Sequence, residues 1–419
     1  VFNPLVSDRS GRIFDIPGLE AVGMKAGCLF RIDRREYTRM PKGSKLFMLP
    51  GRIPAGYNPD TGDFESLENY FAVAVFMPPA FTATYSAAYQ LPSRRWSKIH
   101  LRGGGRGADA LPLFCYTAAG FYKGGIYVAA VRVDRSTRHD PRFINLDLVK
   151  DNTIKIKKIF PRNRLIRHLA DCALAYDCPG AQNFFLSREE CPLPVSPHCN
   201  ANCAGCISLN TQPRIRFTPT PEEIRDVALF HINRVRDTVL SFGQGCEGEP
   251  LLQADLIERS IRLIRKETSQ GSININTNAS RPESISRLFD IGLSSIRVSM
   301  NSCRPEYYKR YYKPTGYDFC DVLSSIKIAK RKKGFVSINY LTMPGFTDSA
   351  DEYEAVKKFI SYYKINMIQW RNLNFDPLEY FKIIKYPANP PETIGVRRII
   401  SNLRKSFPGL KMGYYNPAF

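Results

Sequence analysis

A partial, open (β/α)6 barrel of the TIM-like α/β class, preceded by a mainly β N-terminal domain, is the fold this sequence predicts. Three observations predict it. From about residue 210, short β-type runs alternate with amphipathic helical stretches, the pattern of parallel strands joined by helical crossovers. Six such units fit between residues 191 and 376, too few for a closed eight-fold barrel. The first 190 residues read differently: "KLFMLP", "YFAVAVFM" and "GGIYVAAVRV" are β-type and separated by Gly, Pro and Arg, with little convincing helix before "RNRLIRHLADCALAY". The expected boundaries are 1–160 for the β domain, 161–190 for a helical connection, 191–380 for the barrel and 381–419 for a C-terminal extension.

The units can be named in order. A short strand, "LPVS", comes first. In "TPTPEEIRDVALFHINRV", Thr220 is placed to cap a helix and Pro221 to occupy its first turn. "DTVLSFGQG" follows as a buried strand, "LLQADLIERSIRLIRKE" as a helix, "SININTNAS" as a strand and "PESISRLFDIG" as a helix ending at Gly292. "SSIRVSMNS" is the next strand. A helical region from about Arg304 to Lys333 is broken by "KPTGYD", then "FVSINYLTMPG" reads as a strand, "SADEYEAVKKFISYYK" as a helix and "NMIQWRNLNFDP" as the closing strand. In open sheets and barrels of this kind, chemistry gathers at the carboxyl ends of the strands.

Composition narrows the class. The chain has 43% apolar and 24% charged residues, which excludes wholesale disorder. It has no apolar run of the roughly 18 residues a membrane helix needs, so no membrane partner is expected. The first residues lack the basic start and apolar stretch of a secretory signal, and 11 cysteines in 419 residues are too sparse for a disulfide framework. A cytoplasmic setting is the expectation, with thiols free or holding metal. Sixty Lys and Arg face 39 Asp and Glu, a net charge of +21. The excess is spread over both halves, with 28 basic against 18 acidic residues up to residue 198. Such a surface attracts a polyanion such as RNA, or an acidic protein; the competing reading is simply a basic, soluble surface.

The strongest motif is "PHCNANCAGC", which places Cys199, Cys203 and Cys206 in one loop after the first strand. Three thiolates at CxxxCxxC spacing can wrap one corner of a cuboidal iron–sulfur cluster and leave its fourth iron open. A structural zinc site would want a fourth ligand, and His198, adjacent to Cys199, would have to point away from it.

This loop resembles the signature of the radical S-adenosylmethionine (radical SAM) superfamily, and the later strand ends agree with it in order. Glu247, Gly248, Glu249 and Pro250 resemble the Gly-Gly-Glu-Pro motif that contacts the methionine amino group, with Glu247 in place of the first Gly. Asn278 lies at the next strand end. Ser299 and Asn301 fall where the family binds the ribose, Met343 near the adenine pocket, and Arg371 where polar side chains approach SAM. Gly205 stands where the family usually has an aromatic residue.

The resemblance covers roughly residues 190–380. It implies a 4Fe-4S cluster, SAM as cofactor, an external one-electron donor, and a 5′-deoxyadenosyl radical that takes hydrogen from a substrate. An added domain and the charge favour a macromolecule, RNA or protein, as substrate. A small metabolite, or metal-cofactor maturation, is the alternative.

Other cysteines have two readings each. Cys172, Cys178 and Cys191 could ligate an auxiliary iron–sulfur cluster or be incidental buried thiols. Cys246 and Cys303, at strand ends, are candidates for a hydrogen donor or nucleophile, or are silent. The run "RGGGRG" at 102–107 reads as a basic loop rather than a phosphate cradle. "KIKKIFPRNRLIRH" and "KIAKRKK" read as solvated faces that become a polyanion track if they line one surface.

Overall fold

The computed structural model describes residues 1–92, 111–210, 214–387 and 392–419, so "RGGGRG" lies outside the described residues. The chain forms two compact units: Val1–Asp134 with Leu341–Val356 and Trp370–Pro408, and Arg135–Tyr340 with Lys357–Gln369 and Gly409–Phe419. They differ from a division at residues 160, 190 and 380, because two later segments count with the N-terminal unit.

The first unit is mainly β. Two sheets of largely antiparallel strands carry it, one of eight strands that includes Asn3–Ser7, Phe71–Phe76 and Gly125–Arg132, the other of six that includes Glu20–Lys25 and Ile53–Asn58. Their inward residues Met24, Leu49, Ala72, Ala74 and Tyr89 form a common core. Within this unit the buried Arg52 pairs with Asp376 at 3.0 Å, and Tyr89 donates to the same carboxylate at 2.7 Å. A buried charge needs such partners to remain ionised.

The second unit holds most of a parallel sheet, of which residues 341–342 and 370–372, at the carboxyl ends of two strands, count with the first unit. The strands of this sheet pair in chain order: Glu190–Pro192, Val239–Phe242, Ser272–Thr277, Ser295–Met300, Phe335–Thr342, Met367–Asn372 and Lys411–Gly413. The pairing is parallel through the first five strands and again between the last two. The architecture is the partial α/β barrel, with two differences of detail. The first strand ends at Pro192, so "LPVS", residues 193–196, is wholly the loop beyond it, and a seventh, three-residue strand comes from the C-terminal segment.

Local signals explain the crossovers. Helix Pro221–Ile232 starts with a capping box in which Thr220 and Glu223 each satisfy the other's backbone N–H. Helix Ala254–Glu267 buries Ala254, Ile257, Ile261 and Ile264, one stripe at i, i+3, i+7 and i+10. The "KPTGYD" break separates helices Pro305–Tyr312 and Phe319–Arg331, the first ending on Lys313 in the left-handed conformation. One helix adds to the reading of the N-terminal region, which found little convincing helix before "RNRLIRHLADCALAY". Leu146–Ile159 is a 14-residue helix capped by Asn145. Only Val149, Thr153 and Ile156 are buried on it, while Leu146, Leu148, Ile154 and Ile159 are exposed, so its apolar pattern has no clear face. Among the described residues, no helix is long and apolar enough to cross a membrane.

Candidate functional site

The cysteine loop leaves the carboxyl end of the first strand and is held by backbone contacts on two sides. On one side is the turn after the second strand. There Gly248 N–H donates to Ser196 O at 2.7 Å and Glu249 N–H to His198 O at 2.8 Å. The two backbones are so close that a Cβ on Gly248 would sit 1.9 Å from His198 O, so glycine is required by contact. On the other side, Asn202 N–H and Ala204 N–H donate to the carbonyls of Tyr312 and Tyr311, both at 3.0 Å, and Thr315 N–H donates to Asn200 O at 2.9 Å.

Glu247 explains its own departure from the family motif. Its fully buried carboxylate accepts Val195 N–H at 2.7 Å and Ser196 N–H at 3.0 Å on one oxygen, and Gly243 N–H at 2.6 Å and Gln244 N–H at 2.7 Å on the other. One side chain therefore closes the start of the cysteine loop onto the turn after the second strand. Burial pushes Glu247 up to about 7 against the pull of these four donors. Both of its oxygens are thus engaged by the backbone amides of these four residues.

Glu249 is similarly buried and pushed up to about 7 by desolvation. It accepts Leu251 N–H at 3.0 Å, Asn278 N–H at 2.8 Å and the Thr277 hydroxyl, while Pro250 opens a short 3-10 turn. Asn278 in turn donates its side-chain amide to Asn200 Oδ1 at 2.8 Å, so the third strand end also reaches the cysteine loop. Ser299 is half-buried on the fourth strand. Asn301, just beyond that strand and fully buried, donates to Tyr307 O at 3.3 Å, and Cys303 follows half-buried. Met343 and Arg371 belong to the first compact unit. There Met343 is buried with its sulfur 3.9 Å from Ser86 Oγ, and Arg371 lies in the strand Met367–Asn372.

Cys199, Cys203 and Cys206 are all partly exposed. Burial, then the neighbouring Glu249 carboxylate, raises the Cys199 thiol; burial, then the charges of Cys199 and Cys206, raises Cys203. The three sulfurs are therefore near enough to repel one another as thiolates, the situation a cationic iron centre relieves. Sequence reasoning missed Arg214, which sits 3.8 Å from Cys206 Sγ and binds Ser208 Oγ through two nitrogens at 2.9 and 3.1 Å. It also missed the tyrosines behind the loop: Tyr308 stacks on Tyr312 at 4.5 Å and meets the Tyr317 hydroxyl at 3.2 Å. An all-thiol donor set on one anchored loop fits an iron–sulfur cluster.

A second thiol set is assembled from separate segments. His168 and Cys172, four residues apart on helix Arg164–Ala175, share a face, and Cys246 meets them from the turn after the second strand. His168 Nε2 lies 3.4 Å from Cys246 Sγ and 3.5 Å from Cys172 Sγ. The hydrogen bond from Cys246 draws the Cys172 thiol down to about 5 despite its burial, and the same bond and burial push Cys246 well above the thiol range. Cys178 is near enough for its charge to bear on Cys246 and for that of Cys172 to bear on it. Cys191 sits fully buried in the first strand beside Glu190, in a setting different from that of Cys172 and Cys178. His168 was the missing member, and its only signal in the sequence was the four-residue spacing to Cys172.

The run "KIAKRKK" borders a groove of about 450 Å³ lined by Lys327, Lys330, Arg331, Tyr362, Tyr363 and Lys364, among others. Tyr362 is 69% exposed. Lys327 Nζ lies 5.6 Å from the Tyr362 ring centre and 5.9 Å from that of Tyr363. An exposed aromatic ring among basic side chains is how single-stranded nucleic acids are held, by stacking and charge.

Comparison with known proteins agrees with this geometry. The family model described as the radical SAM superfamily matches residues 193–360. The FeMo cofactor biosynthesis protein NifB of Klebsiella pneumoniae is 24% identical over 176 residues, 38% of this chain and 38% of that protein. A probable GTP 3′,8-cyclase of Thermococcus kodakarensis is 28% identical over 162 residues, 37% of this chain and 48% of its own. The dual-specificity RNA methyltransferase RlmN of Oleidesulfovibrio alaskensis is 28% identical over 214 residues, 47% of this chain and 57% of its own. The chain thus spans between 38% and 57% of the length of these curated relatives.

Proposed function

We propose, from the match of the radical SAM family model to residues 193–360, that the chain is an enzyme that cleaves S-adenosylmethionine reductively to modify a macromolecular polyanion, RNA foremost. The observation that carries the first half is the anchored loop: Cys199, Cys203 and Cys206 project from a backbone fixed by Gly248, Glu247 and the tyrosine helix. These three residues would hold a 4Fe-4S cluster. Such a cluster would supply one-electron reduction of SAM by an external donor, chemistry that would yield methionine and a 5′-deoxyadenosyl radical able to take a hydrogen atom from the substrate.

The chain's own part is positioning. Glu247 fixes the loop start, so the cysteines do not have to be ordered as the site fills. Glu249 and Asn278, at adjoining strand ends, supply the carboxylate and amide beside that loop. Arg214 places its guanidinium 3.8 Å from Cys206 Sγ, a positive charge beside the sulfur that would bind iron.

RNA is favoured by the net charge of +21 and by the groove of Tyr362 and Lys327. The relative sharing the longest stretch of the three, an RNA methyltransferase, points the same way. Two assays test the reading. Anaerobic reconstitution with dithionite and SAM is expected to yield 5′-deoxyadenosine from the parent and none from Cys203→Ala. Filter binding of single-stranded RNA is expected to weaken steeply between 50 and 200 mM salt, and by about 1–3 kcal/mol in Tyr362→Ala. RNA retention that is absent or independent of salt overturns the RNA half. Deuterium passing from a metabolite pool into deoxyadenosine would put a small molecule in its place.

A further inference from the structure

The cysteine loop does not account for the other convergence of thiols in this unit. The ligand atoms of His168, Cys172 and Cys246 all lie within 4.8 Å of one another. The two nitrogen–sulfur distances, 3.4 and 3.5 Å, can be compared with metal geometry. A tetrahedral zinc ion with its usual Zn–N and Zn–S bonds sets its nitrogen and sulfur ligands about 3.6 Å apart. The arrangement already has the edges of a single-ion site.

We propose that His168, Cys172 and Cys246 form a mononuclear site for a zinc-type divalent ion, separate from the three cysteines of the loop. Both cysteines are 3% exposed and His168 is half-buried, so the sulfurs are shielded from oxidants while the imidazole side remains reachable. Imidazole with two thiolates is a donor set that zinc favours, and three protein ligands leave a fourth position for an exchangeable one. Binding releases thiol protons to solvent as the sulfurs coordinate. The spacing favours one ion over a cluster, because sulfurs bound to different irons have no reason to close on one nitrogen at the distance of a tetrahedral edge.

The position gives the ion a role. Helix Arg164–Ala175 supplies two ligands, and the third is the residue immediately before Glu247, the carboxylate that closes the cysteine loop. An ion here ties that helix to the turn carrying Glu247 and Glu249. This inference concerns residues outside the cysteine loop and stands whether or not the chain cleaves SAM.

The test uses the full chain with Cys199, Cys203 and Cys206 replaced together by Ala, which removes the other thiol set. Titrated anaerobically with Co²⁺ and then Zn²⁺, this protein is expected to bind one ion per chain, with a thiolate-to-cobalt charge-transfer band and intense tetrahedral d–d bands that zinc abolishes. Adding Cys172→Ser or Cys246→Ser is expected to lower affinity by more than about 100-fold, since loss even of an outer partner of a metal ligand costs 10–100-fold. His168→Gln is expected to do the same, and Cys320→Ser, at an exposed cysteine, to change nothing. Far-UV circular dichroism and metal-free melting of each variant separate a lost ligand from a lost fold. No cobalt spectrum in the background protein, or one that persists in folded Cys172→Ser and Cys246→Ser, overturns the site. Iron and sulfide beyond one four-iron cluster in the parent, lost in those two variants, overturns the single ion in favour of a cluster.

Discussion

The two thiol sets of the second unit are built on opposite plans. Cys199, Cys203 and Cys206 come from one short loop, and their placement depends on neighbours that grip its backbone: Ser196, His198, Asn202 and Ala204 all bond across to other segments. His168, Cys172 and Cys246 come from a helix and a distant turn, 78 residues apart for His168 and Cys246, and their placement depends on packing between those elements. The contrast teaches where each set is vulnerable. The loop needs its anchors, and the trio needs its helix docked. Glu247 belongs to both plans, because one oxygen holds Val195 and Ser196 in the loop while the other holds Gly243 and Gln244 just before Cys246.

The largest effect separates the sets outright. Cys203→Ala is expected to abolish 5′-deoxyadenosine formation, whereas Cys172→Ser is expected to leave a fully loaded four-iron cluster. Iron and sulfide counts beside nucleoside yield decide it; if Cys172→Ser also lost the four-iron cluster, the two sets would be one site. Next comes the shared anchor. In Glu247→Gln one oxygen becomes an amide nitrogen facing two backbone N–H groups, which leaves two buried donors unmatched at about 1–3 kcal/mol each. The expected loss is roughly 2–6 kcal/mol by urea unfolding, with iron retention and cobalt affinity falling together. A variant that lost neither would show that Glu247 is not the common support.

How far each plan was legible in the sequence follows from the same contrast. A candidate set within eight residues is written as a spacing, so Cys199, Cys203 and Cys206 stand out in the sequence itself. So do the crossovers, whose caps and stripes, such as Thr220 with Glu223, are local. The trio does not, because a meeting between residues 168 and 246 depends on how helix and turn pack, and no periodicity records that. Arg214 was invisible for the same reason. Glu247 was visible only as a departure from a motif; its purpose needed the positions of four backbone amides. Helix Leu146–Ile159 was missed because its exposed apolar residues blur the face that Val149, Thr153 and Ile156 define.

Acid gives the smallest and most selective perturbation, directed at the helical side on which the trio depends. His231, on helix Pro221–Ile232, is 1% exposed and stacks on Phe184 at 5.6 Å. Burial lowers its ring to about 4 from an ordinary 6.5. Below pH 6.5 the unfolded chain therefore takes up a proton that the folded chain refuses. Stability is fully present above pH 6.5 and is lost as pH falls toward 4, by about 3 kcal/mol across the window. Helix Pro221–Ile232 is also tied to the trio's helix, since Arg164 pairs with Glu223 at 2.8 Å and Asn163 donates to Glu223 O at 3.0 Å. Amide exchange in helices Arg164–Ala175 and Pro221–Ile232 is expected to accelerate between pH 6.5 and 4, after correction for intrinsic rates, and His231→Phe is expected to flatten that dependence. An unchanged slope in His231→Phe would move the acid sensitivity to another group and leave the trio's helix independent of its neighbour.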